Sequence, residues 1–275
     1  MTTIAALLTV HNRKDKTLEC LERLYAQQLP EGVEVHTWLV DDGCTDGTAE
    51  AVKARFPEVN IIQGDGNLFW NRGMYTAWEA AAKALDYDFY LWLNDDTFVY
   101  EDMVIELLAS SKELDDKAVI SGPTQDAAHT KTTYGAVTNG KLLDPDGTLQ
   151  DGVSLNGNIL LIPRYVFKKI GGMDRTFLHA GGDTEYGWRA LKHGIRVVIA
   201  RKYLGECELH ERVDKWCDPE APLSERWKAL YKPTGVRPPE FFYLERKYKG
   251  LGVATFHYVT THLHCLFPTL WTKIK

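Results

Sequence analysis

Two adjacent carboxylates end the apolar run FYLWL, with Asn94, Asp95 and Asp96 directly following residues 89–93. Hard divalent cations such as Mg²⁺ or Mn²⁺ take oxygen ligands and commonly combine one or two carboxylates with substrate phosphates. An isolated Asp-Asp pair is more often a solvated turn or a helix cap. A second acidic string, DDGCTDGT at 41–48, shifts that balance, because it also follows an apolar run and precedes a helix-like segment. Turn and capping chemistry accounts for Thr45, Asp46 and Thr48, and less well for Asp41, Asp42, Asp95 and Asp96. A third polar string, HNR at 11–13, closes the first apolar run, and Asp183 opens a helical stretch at 184–192. Asp at a helix start is commonly a cap, yet such a position also projects into a cleft where a carboxylate can accept a proton.

These residues can act together only if the fold gathers them. Thr3 to Val10, Val33 to Val40, Asn60 to Ile62 and Phe89 to Leu93 read as strands separated by helix-length segments, the alternation of a parallel sheet. Leu18, Leu21, Leu24 and Tyr25, and then Met74, Ala77, Trp78, Ala81 and Ala82, recur at helical spacing and should cover its faces. Ligands of such sheets bind outside the carboxyl ends of the strands, so the three polar strings are expected to meet in one crevice. Glycine, proline and aspartate punctuate residues 123–158, which suggests inserted hairpins. Helices at 164–170 and 184–192 and a strand at 195–199 follow. The expected organisation is an α/β catalytic domain over 1–218, with a donor half (1–122) and an acceptor half (123–218), then a C-terminal aromatic and basic helical appendage over 219–275.

Taken in order, LTVHNR, VDDGCTDGT, LWLNDDT and GGDTEYGWRALKHG resemble the family 2 glycosyltransferases across residues 3 to about 212. The resemblance implies a glycosyltransferase A-type fold, a Rossmann-like and mostly parallel sheet flanked by helices. It also implies inverting transfer of a sugar from a nucleotide diphosphate donor to a hydroxyl of a carbohydrate or lipid-linked saccharide. Under it, Thr9, His11 and Arg13 border the nucleotide, and Asp42 or Asp41 binds base or ribose. Asp96, with Asn94 or Asp95, corresponds to the metal-binding DXD motif, with Asp96 the direct ligand of Mg²⁺ or Mn²⁺. His210 matches a position where a histidine completes the metal shell, with a purely structural histidine as the alternative. Asp183 matches the carboxylate that accepts the acceptor's proton.

Two departures accompany the likeness: Asn94 replaces the first acid of DXD, and Gly182 stands where the family usually has Glu. Glu185 either assists or faces solvent. GDTEYGWR is similar to the DDxEYxxR string of some galactofuranose-adding relatives but is too short to name a sugar, and Trp188-Arg189 is not the QxxRW motif of processive synthases. In GDGNLFWNRGM, the glycine turn adds Gly64 and Asn67 to the donor set. Phe69 and Trp70 border donor or acceptor, or else close the core, and Trp70 joins the donor candidates. Relatives of this type build bacterial polysaccharides and glycolipids. One alternative is a sugar nucleotidyltransferase, which should carry a glycine-rich basic loop where this chain has HNRKDK. The other is a binding module without catalysis.

The net charge of −6 conceals an asymmetry, with nine Lys+Arg against three Asp+Glu in residues 221–275 and 23 against 35 before them. An acidic body argues against nucleic-acid partners. The basic, aromatic tail suits a peripheral contact with an anionic membrane, with packing on the body or on a homodimer partner as the alternative. Five cysteines without a CxxC pair suggest a reducing, cytoplasmic setting, and the first ten residues read as a buried strand.

Overall fold

The computed structural model describes residues 1–209 and 215–269. Strand and helix alternate through β1 (Thr2–Val10), α1 (Lys14–Tyr25), β2 (Val33–Asp41), α2 (Thr48–Arg55), β3 (Asn60–Gln63), α3 (Phe69–Ala84) and β4 (Phe89–Leu93). After β5 (Phe98–Val99) and α4 (Met103–Glu113) come seven short strands: β6 (Val119–Ser121), β7 (Thr124–Gln125), β8 (Thr132–Tyr134), β9 (Ala136–Thr138), β10 (Lys141–Leu142), β11 (Gln150–Asp151) and β12 (Ser154–Leu155). Next are β13 (Ile159–Pro163), α5 (Arg164–Ile170), α6 (Gly182–Lys192), β14 (Val197–Ile199) and β15 (Gly205–Glu206). The C-terminal segment holds α7 (Leu223–Tyr231), α8 (Pro238–Tyr248) and α9 (Leu251–Leu266).

The main sheet has eight strands in the order β11-β14-β6-β13-β4-β1-β2-β3. β1 pairs in parallel with β2 and β4, and β2 with β3. β13 runs antiparallel between β4 and β6, so the sheet is mixed and mostly parallel. β1 is continuously apolar because both its faces are covered. Ile4, Ala6 and Leu8 pack with Leu21, Leu24 and Leu107 on one side. Ala5 and Leu7 pack with Met74, Trp78 and Trp92 on the other. Two small sheets, β10-β9-β12 and β5-β15-β7-β8, take up most of the short strands of residues 124–155 together with β5 and β15, while β11 joins the main sheet.

Loop chemistry fixes how the helices leave the strands. Asp46 accepts from Thr48 N at 3.1 Å and from Lys14 N at 3.0 Å, tying the starts of α2 and α1 together. Gly73 lets α3 lie against β1, since a β-carbon there would fall 2.1 Å from Thr9 Oγ1.

The C-terminal helices are docked on the body, chiefly through α8. Tyr243 donates to Asp174 at 2.8 Å, Lys247 and Tyr248 each reach Glu185 at 2.7 Å, and Tyr248 packs edge-on to Trp188. Glu185 is fully buried and also bonds Arg189 at 2.9 Å, so it neither faces solvent nor reaches the crevice.

The departure at Gly182 has a steric reason. Asn71, fully buried near the start of α3, donates to the carbonyls of Asp174 (2.9 Å) and Phe177 (2.8 Å). Its side chain occupies the space that any side chain at 182 would need, and a β-carbon there would lie 1.6 Å from Asn71 Oδ1. Gly182→Ala should therefore lower stability by about 2 kcal/mol or more, the range for overpacking a closed interior. Urea unfolding measures this, and an unchanged midpoint would contradict the account of the Asn71–Gly182 contact.

Candidate active site

Two adjoining cavities open at the carboxyl ends of β1, β2 and β4. The first, about 290 Å³, contains Arg13, Asn94, Asp95, Asp96 and Asp183 in its wall. The second, about 260 Å³, is bordered by Thr9, His11, Asp42 and Phe69. Arg13, Trp70, Asp95 and His179 belong to both and mark the passage between them. The strand-end strings, 30 to 50 residues apart in sequence by rough count, thus meet as open parallel sheets require.

Asp95 and Asp96 are each only 6% exposed, at the end of a strand whose five residues are all buried. The Arg13 guanidinium spans them, at 3.3 Å from Asp95 and 2.7 Å from Asp96. Burial and then the neighbouring negative charge of Asp96 push the Asp95 carboxyl up to about 6, against the opposing pull of Arg13. Trp70 fixes the first residue of the trio, its indole Nε1 donating to Asn94 Oδ1 at 2.7 Å. The Trp70 ring lies so close to Gly157 that a β-carbon there would be 2.4 Å from it.

Asp42 is 3% exposed, and its carboxylate gathers the backbone N–H groups of Gly66, Leu68 and Phe69 at 2.9 to 3.2 Å. Those bonds hold Phe69 at φ 55°, a left-handed conformation costly for a bulky residue, where its ring borders the second cavity. His11 Nδ1 lies 2.7 Å from the Asp42 carbonyl. Asp41 is engaged elsewhere, since its carboxylate accepts from Cys44 N (2.7 Å) and Gln63 Nε2 (3.0 Å), and it borders neither cavity. Gly64 and Asn67 also lie outside both linings. Gly64 donates to the Asp41 carbonyl at 2.7 Å, and the Asn67 amide bonds Asp65 at 2.9 Å. His210 lies outside the described residues.

Asp183 sits in the first turn of α6, after Gly181 at φ 90°. Its Oδ1 accepts from Thr184 N at 2.7 Å. Burial raises the carboxyl above the ordinary carboxylate range, while backbone N–H groups of Thr184 and Gly157 work against that rise. Asp183 therefore combines raised basicity with a position in the cavity wall, as a proton acceptor needs.

The wall also includes Tyr134, Asn156, Asn158 and His179, which the sequence motifs do not single out. Asn158 had a readable signal, since it directly precedes the apolar strand β13. That strand is antiparallel, so its start faces the crevice, and the Asn158 carbonyl accepts from Asn94 N at 3.1 Å.

Among the described residues no group of three or more His, Cys, Asp or Glu is arranged to hold a metal. The donor set is instead two side-by-side carboxylates, which suits a cation whose remaining ligands come from a diphosphate and water.

Comparison with known proteins agrees with this architecture. The profile of Glycosyl transferase family 2 matches residues 6–163, more than half of the chain. No curated protein matches it. Among solved structures, S. aureus TarS 1-349 in complex with UDP is similar with a TM-score of 0.59 at 14% identity, over 92% of this chain and 65% of that one. S. aureus TarS 1-349 in complex with UDP-GlcNAc gives 0.55 at 13%, over 95% and 72%. S. aureus TarS gives 0.57 at 13%, over 90% and 48%. The chain thus spans less than two thirds of the first of these, and at such identities the likeness is one of fold. The strand-end crevice, the glycosyltransferase A-type architecture and the matched profile lead to one conclusion: this chain belongs to glycosyl transferase family 2.

Proposed function

We propose that this glycosyltransferase binds a nucleoside diphosphate sugar across the two cavities and transfers the sugar, with inversion, to an acceptor hydroxyl. The reading is carried by one observation: the Asp95–Asp96 pair and Asp183 share a cavity that adjoins a second one bordered by Asp42 and the end of β1. Nucleoside fits the second cavity, and the diphosphate–sugar junction fits the first. The TarS structures with UDP and UDP-GlcNAc support a nucleotide-sugar donor for this fold.

Asp183 takes the proton of the acceptor hydroxyl as that oxygen bonds to the anomeric carbon and the carbon–oxygen bond to the diphosphate breaks, the electron pair leaving with the nucleotide. A single displacement of this kind inverts the anomeric centre. Arg13, already paired with both aspartates, is placed to meet the phosphates. Mg²⁺ or Mn²⁺ held by Asp96 and Asp95 would neutralise charge on the departing diphosphate. Asn156, Asn158 and Tyr134 offer hydrogen-bonding groups for sugar hydroxyls.

The acceptor is a saccharide, free or lipid-linked, of the kind used in bacterial polysaccharide or glycolipid synthesis, and the enzyme works from the cytoplasmic side of a membrane. No helix among the described residues is long and apolar enough to cross one. α9 nevertheless exposes Leu251, Val253, Phe256, Val259, Leu263 and Leu266 by 36 to 62% or, for Phe256, 64%. α9 itself carries no Lys, Arg, Asp or Glu, and the basic residues that would attract anionic lipid lie elsewhere in residues 221–275, nine against three acidic ones.

Asp183→Asn should lower transfer by about 100-fold or more, the scale of lost general-base catalysis, and leave donor affinity intact. Asp96→Asn should weaken donor binding with Mn²⁺ and not with chelator, as read by thermal shift. In the wild type, the acid limb of the rate should lie above the ordinary carboxylate range, because raised Asp183 must be unprotonated to act. Equal rates for wild type and Asp183→Asn would remove that residue from the chemistry.

Phe256→Asp with Leu263→Asp should reduce co-sedimentation with vesicles containing anionic lipid. Undiminished sedimentation of that variant, or a dimer in light scattering that the substitutions dissociate, would contradict the membrane assignment.

A further inference from the structure

We infer that the turn joining α7 to α8 belongs to the donor site, with Thr234 touching the nucleoside part of the bound donor; this rests on the donor reading above. Thr234 borders the second cavity together with Thr9, His11, Asp42 and Phe69. It arrives there from the C-terminal segment, beyond the residues matched by the family profile. It is absent from the lining of the first cavity, which contains Asp96 and Asp183. Its hydroxyl, able to donate and accept, is therefore suited to ribose hydroxyls or a base edge and lies outside the reacting centre.

The turn is built to keep its shape. Arg237 N donates to the Leu230 carbonyl at 2.9 Å and Gly235 N to that of Lys232 at 2.8 Å. Gly235 allows this folding back on the end of α7, since a β-carbon there would lie 2.3 Å from the Ala229 carbonyl oxygen. Directly after the turn, α8 is fastened to the segment that leads into Asp183. Glu240, 7% exposed, accepts from Leu178 N at 3.2 Å, Tyr243 donates to Asp174, and Lys247 and Tyr248 meet fully buried Glu185. A buried carboxylate left without its cations is strongly unfavourable, so this junction holds α8, and with it the turn, in one place. A single helical segment thus walls the nucleoside cavity at one end and braces the helix of Asp183 at the other.

The test titrates UDP and GDP, each with Mn²⁺, into full-length wild type, Thr234→Val and Thr234→Trp. The wild type should bind one of them. Thr234→Val keeps the shape and removes the hydroxyl, and should weaken that nucleotide by about 3- to 10-fold, the worth of one hydrogen bond. Thr234→Trp should weaken it by about 10-fold or more by filling the cavity. Both variants should keep the wild-type melting temperature because Thr234 is exposed, and both should bind inorganic pyrophosphate as the wild type does. Wild-type nucleotide affinity in Thr234→Trp would overturn the inference and leave the donor reading standing. Failure of the wild type to bind either nucleotide would instead sink the donor reading and this inference with it.

Discussion

Two carboxylates pressed together at the buried end of β4 set the terms for the rest of the molecule. Neighbouring negative charges in a poorly solvated position repel each other, and each would prefer water. Here Asp95 is pushed up to about 6 while Arg13 reaches across from the end of β1 to compensate both. Such an arrangement is unfavourable in isolation. It persists because β1 and β4 are neighbours in a sheet covered on both faces, with strand ends fixed by packing far from the charges. The same constraint explains the surrounding contacts: Trp70 pins Asn94 and Thr17 approaches Asp95 from α1 at 3.5 Å. Two buried acids bridged by one guanidinium make a site where the charge of an arriving ligand would bear directly on Arg13.

The opposite strategy appears at Asp42. Its oxygens are already engaged by three backbone N–H groups, so it acts through the shape it imposes on the Gly66–Phe69 turn. Phe69 is held in a left-handed conformation as a result, and the cavity wall inherits the strain. Glu185 shows a third use of a carboxylate. Fully buried and met by Arg189, Lys247 and Tyr248, it joins α6 to the C-terminal helices.

Much of this was legible in the sequence because it rests on local periodicity. Continuous apolar strands, helical spacing in α1 and α3, and polar strings at three strand ends are enough to place Arg13, Asp95 and Asp96 at one crevice. Adjacent residues are harder to separate: Asp41 and Asp42 look alike in the chain, and only the packing of Gln63 and the 66–69 turn gives them different partners. Asn158 is marked only by standing directly before β13, an antiparallel strand whose start and not its end faces the crevice. Glu185 and Thr234 depend on contacts between segments distant in sequence, and composition correctly marked the C-terminal residues as helical and aromatic without saying what they cover.

We propose that Asp95 and Asp96 form half of a cation site that a diphosphate completes. Water proton relaxation with Mn²⁺ reports it directly. Bound Mn²⁺ should be weak or undetectable with protein alone, become strongly enhanced when a nucleoside diphosphate is added, and lose that enhancement in Asp95→Asn/Asp96→Asn. Equal enhancement in wild type and the double variant would contradict the account.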